Sequence, residues 1–190
     1  MTAPRDPAAA PAVLGVLGSP SPGGHSATAL RAFLDGCTET GASTRVLELA
    51  GGDDPESVQR ALEEADGIVF ATPTYRARSS SWVKALLENT QRGADGDTRA
   101  PLLGKATAIV HTGATAHHFL AVDDLRSILA GFFAAQVLSP GLYLEGADYT
   151  ETGDLTDRAA ALTTAHGRAF GEFTAAVRAS AAVTELRPLL

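Results

Sequence analysis

From Ala12 onward the chain alternates between short, almost wholly apolar runs and stretches with helical spacing, and it does so five times. The apolar runs are AVLGVLG (12–18), TRVLELA (44–50), GIVFATP (67–73), KATAIVHT (105–112) and AQVLSPGLYLE (135–145). The third and fourth lack the in/out alternation of a half-exposed strand. Continuous Ile, Val and Phe over four or five residues is what a strand covered on both faces requires, so these runs predict a parallel sheet.

The intervening stretches carry helical stripes. Leu30, Phe33, Leu34 and Cys37 fall at i, i+3, i+4 and i+7, on a helix expected to begin after His25 and to stop near Gly41. Asp54 before Pro55 reads as an N-cap with proline at the first helical position. Trp82, Val83, Leu86 and Leu87 form a third stripe, ended by the turn-rich GADGD of 93–97. Phe119, Val122, Leu125, Leu129 and Phe132 form a fourth. Leu155, Ala159, Leu162, His166, Phe170, Phe173 and Val177 form a long fifth. Five strands alternating with five helices predict an α/β fold: a doubly wound, three-layer sandwich, since right-handed crossovers place helices on both faces. The count favours a flavodoxin-like five-stranded parallel sheet in the order 2-1-3-4-5, with ligands bound outside the carboxyl ends of the strands.

Composition narrows the functions available. At 190 residues the chain suits one domain, read as 12–182, with a disordered tail at 1–11 and a C-terminal tail at 183–190. Fifteen basic against 22 acidic residues give a net charge of −7, and the arginines are scattered, which argues against a nucleic-acid binder. A single cysteine, Cys37, forms no internal disulfide and fits a reducing compartment, so a cytoplasmic location is expected; its place on an apolar stripe marks it as core filler. No apolar run reaches the roughly 18 residues of a membrane span. The acidic run Asp53, Asp54, Glu56 and the pair Glu63, Glu64 read as solvated surface.

The predicted topology directs attention to three loops. The first, Gly18-Ser19-Pro20-Ser21-Pro22-Gly23-Gly24-His25-Ser26, leaves a strand and enters a helix. Its glycines let backbone amides approach an anion, its serines and His25 add donors, and the helix N-terminus favours negative charge; the alternative is an ordinary turn with Ser26 as N-cap. It is neither a Walker loop nor a GxGxxG fingerprint. The second, Thr72-Pro73-Thr74-Tyr75-Arg76-Ala77-Arg78, offers an aromatic ring, two guanidinium groups and a run of amides suited to a planar ligand; the alternative is a type I or II turn whose Tyr75 shields a helix end. The third, His111 to His118, has small residues at Gly113 and Ala114 against which a flat ligand could lie. Adjacent side chains such as His117 and His118 diverge and have no partner at metal-ligand spacing, so no metal is expected.

Three blocks together resemble the flavodoxin-like NAD(P)H-dependent FMN reductases, particularly the small flavin reductases of two-component monooxygenase systems such as those for alkanesulfonates. The blocks are GSPSPGGHSATAL (18–30), DGIVFATPTYRARSSSWVKALLE (66–88) and TGATAHHFLAVDDLRSIL (112–129). The resemblance implies that Ser19, Ser21, His25 and Ser26 surround the FMN phosphate. It further implies that Pro73, Thr74, Tyr75, Arg76 and Ala77 line the isoalloxazine ring and that Thr112, Gly113 and Ala114 close its other edge. Ser21 stands where the family usually has arginine, Ala114 where it has a second glycine, and Asp124 where close relatives often carry an aromatic residue. The implied reaction is hydride transfer from NAD(P)H to FMN, which asks for no protein acid or base, so no catalytic residue is assigned. Amides of residues 73–77 and 112–114 are expected to meet the flavin edge. A homodimer or homotetramer and a partner monooxygenase are implied as well. Two other readings stay open: an FMN-containing reductase of quinones, azo compounds or other small organic acceptors, and, in another class, a flavodoxin-type electron carrier.

Overall fold

The computed structural model describes residues 9–52, 54–94 and 96–187. The tails expected at either end lie in part outside them, at 1–8 and 188–190, as does Asp53 of the acidic run. A parallel sheet runs in the order β2 (Ser43–Glu48), β1 (Ala12–Leu17), β3 (Gly67–Pro73), β4 (Ala106–Thr112), β5 (Gln136–Val137), and β6 (Leu142–Leu144) also pairs with β4. The predicted strand order 2-1-3-4-5 is therefore present, with one difference: the fifth run is broken. β5 meets the start of β4 (Ala106 opposite Gln136) and β6 its end (Thr112 opposite Leu144). Pro140, which has no N–H to give to a ladder, lies in the gap between them.

β1, β3 and β4 are buried nearly throughout, as continuous apolar runs require, while β2 is an edge strand that buries only Leu47. Alternate residues feed two cores. Val13, Leu17, Val69, Ala71, Ala108 and Val110 face α1 (His25–Glu39) and α5 (Asp157–Ala179). Leu14, Val16, Ile68, Phe70 and Ile109 face α2 (Pro55–Glu64), α3 (Ser81–Glu88) and α4 (Val122–Ser127). Leu30, Phe33, Leu34 and Cys37 are all buried on α1 as their spacing predicts, and burial pushes the Cys37 thiol up to about 12.

Two stripes differ from the sequence pattern. On α5 the buried face is Ala159, Thr163, Gly167, Phe170, Gly171, Thr174 and Val177, which leaves Leu162 exposed and His166 on the flank. The cause is backbone approach. A Cβ at Gly167 would lie 1.9 Å from the Phe33 carbonyl oxygen, and one at Gly36 would lie 2.1 Å from that of Thr164, so α1 and α5 meet through small residues that hydropathy does not score. The fourth stripe fails at both ends because the helix changes pitch. A 3-10 turn at Ala116–Ala121 precedes α4, and a π turn at Ile128–Phe132 follows it, closed by Phe133 N–H donating to Ile128 O at 3.2 Å. Phe133 rotates into the core in place of Phe132, and Phe119 stays outside.

The acidic run is not merely solvated. Asp54 caps α2 by accepting from the Ser57 N–H, while Glu56 and Glu63 both pair with Arg99. The ends of the described chain are also engaged: Arg178 donates to the Ala9 carbonyl and pairs with Asp66, and a short α6 (Ala181–Thr184) leaves its Thr184 backbone against Gly104.

Candidate functional site

The three predicted loops converge at the carboxyl edge of β1, β3 and β4 and are bonded to one another. Gly18 N–H donates to Ala71 O (2.8 Å), the Ser80 hydroxyl donates to Gly18 O (2.5 Å), and Thr74 N–H donates to Thr112 O (2.7 Å). The Ser26 and Thr112 hydroxyls share a buried bond of 2.7 Å. Ser80 is at the same time the N-cap of α3, where its side chain accepts from the Val83 N–H, so one buried hydroxyl fixes both a loop and a helix start.

In the first loop only some of the predicted donors face outward. Ser19 is buried, and its hydroxyl is used within the turn, donating to Ser21 O and accepting from Ser21 N–H, each at 3.2 Å. Ser26 is not a cap: it lies in the first turn of α1 with its hydroxyl turned inward to Thr112, while Gly24 occupies the cap position. Ser21 and His25 are exposed, and the amides of Gly23, His25 and Ser26 have no carbonyl partner among the described residues. These groups surround the N-terminus of a 15-residue helix, a site that favours an anion through both its amides and its dipole.

Tyr149 supports this corner, and nothing in the sequence pattern marked it. Its ring stacks on His25 with centroids 3.8 Å apart and planes 6° from parallel, and its hydroxyl donates to the His25 carbonyl at 3.1 Å. Burial, with Asp148 beside it, keeps the phenol protonated well above its ordinary range.

The second loop is a tight hairpin rather than a type I or II turn. Tyr75 and Arg78 exchange two backbone bonds (2.9 and 3.0 Å) across Arg76 (φ 53°) and Ala77 (φ 61°), both left-handed, which is the mirror-image type I′ geometry. Tyr75, Arg76 and Ala77 are exposed, and Arg78 and Ser79 hold Asp124 of α4 at 2.9 and 3.3 Å. In the third loop a Cβ at Gly113 would lie 1.9 Å from the Tyr143 hydroxyl, itself bonded to Thr115 O, so any other residue displaces that ring. Ala114 is exposed.

Apart from that of Thr112, which lies in β4, the amides expected at the ligand edge divide into two sets. Those of Thr74, Tyr75 and Gly113 donate to Thr112 O, Arg78 O and Leu144 O, and Pro73 has none. Those of Arg76, Ala77 and Ala114 have no carbonyl partner among the described residues. Beneath Thr74 lies a residue the pattern placed at a strand end without a role: His111, fully buried, with Nδ1 3.1 Å from the Thr74 hydroxyl oxygen and burial pushing its pKa down to about 4. Beside this rim a groove of about 750 Å³ opens between α3 and residues 124–133, floored by Leu87, Leu125, Ile128 and Phe133.

A rim with a free helix N-terminus on one side and small, amide-presenting loops on the other suits a phosphorylated flat molecule, and FMN is one. Comparison with known proteins agrees. The FMN reductase (NADPH) of Escherichia coli K12 is 37% identical over 78 residues, covering 40% of this chain and 37% of that protein. An iron-sulfur flavoprotein of Methanocaldococcus jannaschii is 26% identical over 99 residues, covering 42% of this chain and 51% of that one. The chain thus spans less than two thirds of either relative. Among solved structures, the apo form of an NADH:FMN oxidoreductase (EMOB) superposes with a TM-score of 0.74 at 17% identity, covering 93% of this chain and 95% of that one. A flavodoxin from the domain Archaea gives 0.63 at 14% identity, covering 86% and 98%. These structures share the fold. A family model described as NADPH-dependent FMN reductase matches residues 11–150, the span that contains all three loops, and the chain belongs to that family.

Proposed function

We propose that the protein is an NAD(P)H-dependent FMN reductase that passes reduced flavin to a partner monooxygenase in the cytoplasm. The observation that carries this reading is the mutual locking of the three loops around one rim, with the start of α1 and the 75–78 hairpin left open to solvent. The amides of Gly23, His25 and Ser26, with the Ser21 hydroxyl and the His25 ring, take the phosphate; the amides of Arg76, Ala77 and Ala114 meet the ring, with Tyr75 beside it. FMN, when bound, supplies the hydride-accepting chemistry.

The chain's own part is positional. Ser19, Ser26, Ser80 and Thr112 spend their hydroxyls on holding the loops, so the open amides stand ready before a ligand arrives. Pinning Arg78 to Asp124 keeps the hairpin erect at the edge of the slot. The exposed residues Trp82 (42%), Phe119 (56%), Leu120 (61%) and Phe132 (47%) all lie on the α3 and 116–132 side of the molecule, and we assign them to contact with a second copy in a homodimer or homotetramer.

Steady-state NAD(P)H oxidation with and without added FMN, beside an absorption spectrum of the purified protein, tests the reading. Dependence on free FMN supports it. A strongly coloured protein that turns over quinones or azo compounds but not free FMN replaces it with the bound-flavin reductase. A bound flavin that stays oxidised on anaerobic mixing with NADPH replaces it with the electron carrier.

A further inference from the structure

The rim between residues 73 and 75 presents no backbone donor. Pro73 has no N–H, that of Thr74 donates to Thr112 O at 2.7 Å, and that of Tyr75 closes the hairpin onto Arg78 O at 2.9 Å. The Thr74 hydroxyl is the group that could take over that duty, and its oxygen sits 3.1 Å from His111 Nδ1.

Which atom donates in this bond follows from burial. His111 is fully enclosed, and its Nε2 has no hydrogen-bond partner among the described residues. A proton on Nε2 would leave a buried N–H without an acceptor, whereas a proton on Nδ1 leaves only a lone pair unused, the smaller cost. The Nδ1–H tautomer therefore donates to the Thr74 oxygen, and Thr74 keeps its own proton for another acceptor. The ring lies on the side of the sheet where Ile109 and Phe70 are buried, and it has little freedom to turn. The ionisable groups on the elements packed around it are Asp124 and Arg126 of α4, paired with Arg78 and Asp123 respectively, Tyr143 of β6, and the Lys84–Glu88 pair of α3. Burial holds the imidazole neutral against the pull of Asp124, so the donor geometry persists across the ordinary pH range.

We propose that His111 is a positioning residue of the ring slot: its Nδ1–H holds the Thr74 oxygen so that the Thr74 hydroxyl proton is presented to the edge of the bound flavin. The assignment rests on the flavin reading given above, in which Thr74 lines the ring, and adds to it the buried group that orients the Thr74 hydroxyl.

FMN titration followed by flavin fluorescence tests it in five proteins: unaltered, His111→Leu, His111→Asn, Thr74→Val and the His111→Leu/Thr74→Val pair, with circular dichroism as the check on folding. His111→Leu and Thr74→Val are each expected to raise the dissociation constant about five- to tenfold, and the pair no further than either alone, since one releases and the other removes the same Thr74 donor. Asn places its amide N–H near the position of Nδ1, so His111→Asn is expected to restore affinity to within about twofold, a rescue that a purely packing role would not give. Equal FMN affinity in His111→Leu and the unaltered protein, or additive losses in the pair, overturns the assignment while leaving the flavin reading intact. No FMN uptake by the unaltered protein overturns both. Imidazole ¹⁵N shifts give a readout independent of flavin: a proton on Nε2 in the free protein overturns the assignment.

Discussion

The two faces of the sheet solve the same covering problem in opposite ways. On one, α1 and α5 are regular helices of 15 and 23 residues, brought into backbone contact by Gly36 and Gly167, with Gly171 against the Thr40 side chain. On the other, short helices are joined by 3-10 and π turns, leaving large side chains outside, a groove of about 750 Å³ and a buried histidine with an unused nitrogen. The regular face carries the corner to which we assign the phosphate, where Tyr149 braces His25 at the start of α1. To the irregular face we assign the ring slot and the surface for a second copy. On the proposed reading, regular helices lie where an anion is met by fixed amides, and irregular ones where a hairpin and a partner are accommodated.

The same substitution on the two faces should have opposite signs. Ala at Gly167 gains helix propensity of less than about 1 kcal/mol, but its Cβ meets the Phe33 carbonyl oxygen at 1.9 Å, so a net loss of roughly 3 kcal/mol or more is expected. Ala at Gly131, in the π turn, meets nothing within 4 Å and should be neutral or slightly stabilising. Urea unfolding of both variants measures the contrast. Equal effects would mean that the glycines do not distinguish the faces.

The second largest effect is a pH dependence that His111 brings to the irregular face. His111 is held near a pKa of about 4 against an ordinary 6.5, so between those values the unfolded chain binds a proton that the folded one refuses. Stability therefore falls as pH drops through that window, by up to about 3 kcal/mol from this group. Carboxylates titrate there too, so the informative quantity is the difference between the unaltered protein and His111→Leu, whose curve should be flatter from pH 6.5 to 4. Parallel curves would show that the ring is not buried as described.

The regular face was also the more legible one. Leu30, Phe33, Leu34 and Cys37 declare α1 by spacing alone. What periodicity could not show there was that α5 turns Gly167 and Gly171 inward instead of Leu162, because close backbone approach leaves no hydrophobic mark. On the other face a single change of helical pitch at Ile128–Phe132 exchanges Phe132 for Phe133, and no residue count anticipates it. At the site, loop positions were readable from strand ends, and so were the exposed Ser21, His25, Tyr75 and Arg76. The inward-turned hydroxyls of Ser19 and Ser26 were not, since a serine in a turn has the same spacing whether it meets a ligand or its own loop. Tyr149 arrives from more than a hundred residues away, and only the folded chain brings it to His25.

A smaller effect probes the uncovered side chains. Phe119→Ser and Leu120→Ser should leave the stability of the fold within about 0.5 kcal/mol, since both side chains are more than half exposed, yet weaken self-association at least tenfold. Sedimentation velocity across a concentration series reads the outcome, and Leu162→Ser, equally apolar but on the regular face, is the control expected to change neither quantity. Association weakened equally by all three would relocate the interface.

The smallest effect lies at the hairpin. Arg76 and Ala77 both hold positive φ, a conformation that costs a non-glycine residue about 1–2 kcal/mol. Ala77→Gly removes that strain at one position but gives the unfolded chain more freedom, worth about 0.4–1 kcal/mol in the other direction, so a net gain of roughly 0.5 kcal/mol is expected in urea unfolding. If the strain serves to present the Arg76 and Ala77 amides to a ligand, the same substitution loosens that presentation, and FMN affinity should fall even as stability rises. A gain in both would mean that the turn is strained for no purpose connected with the ring slot.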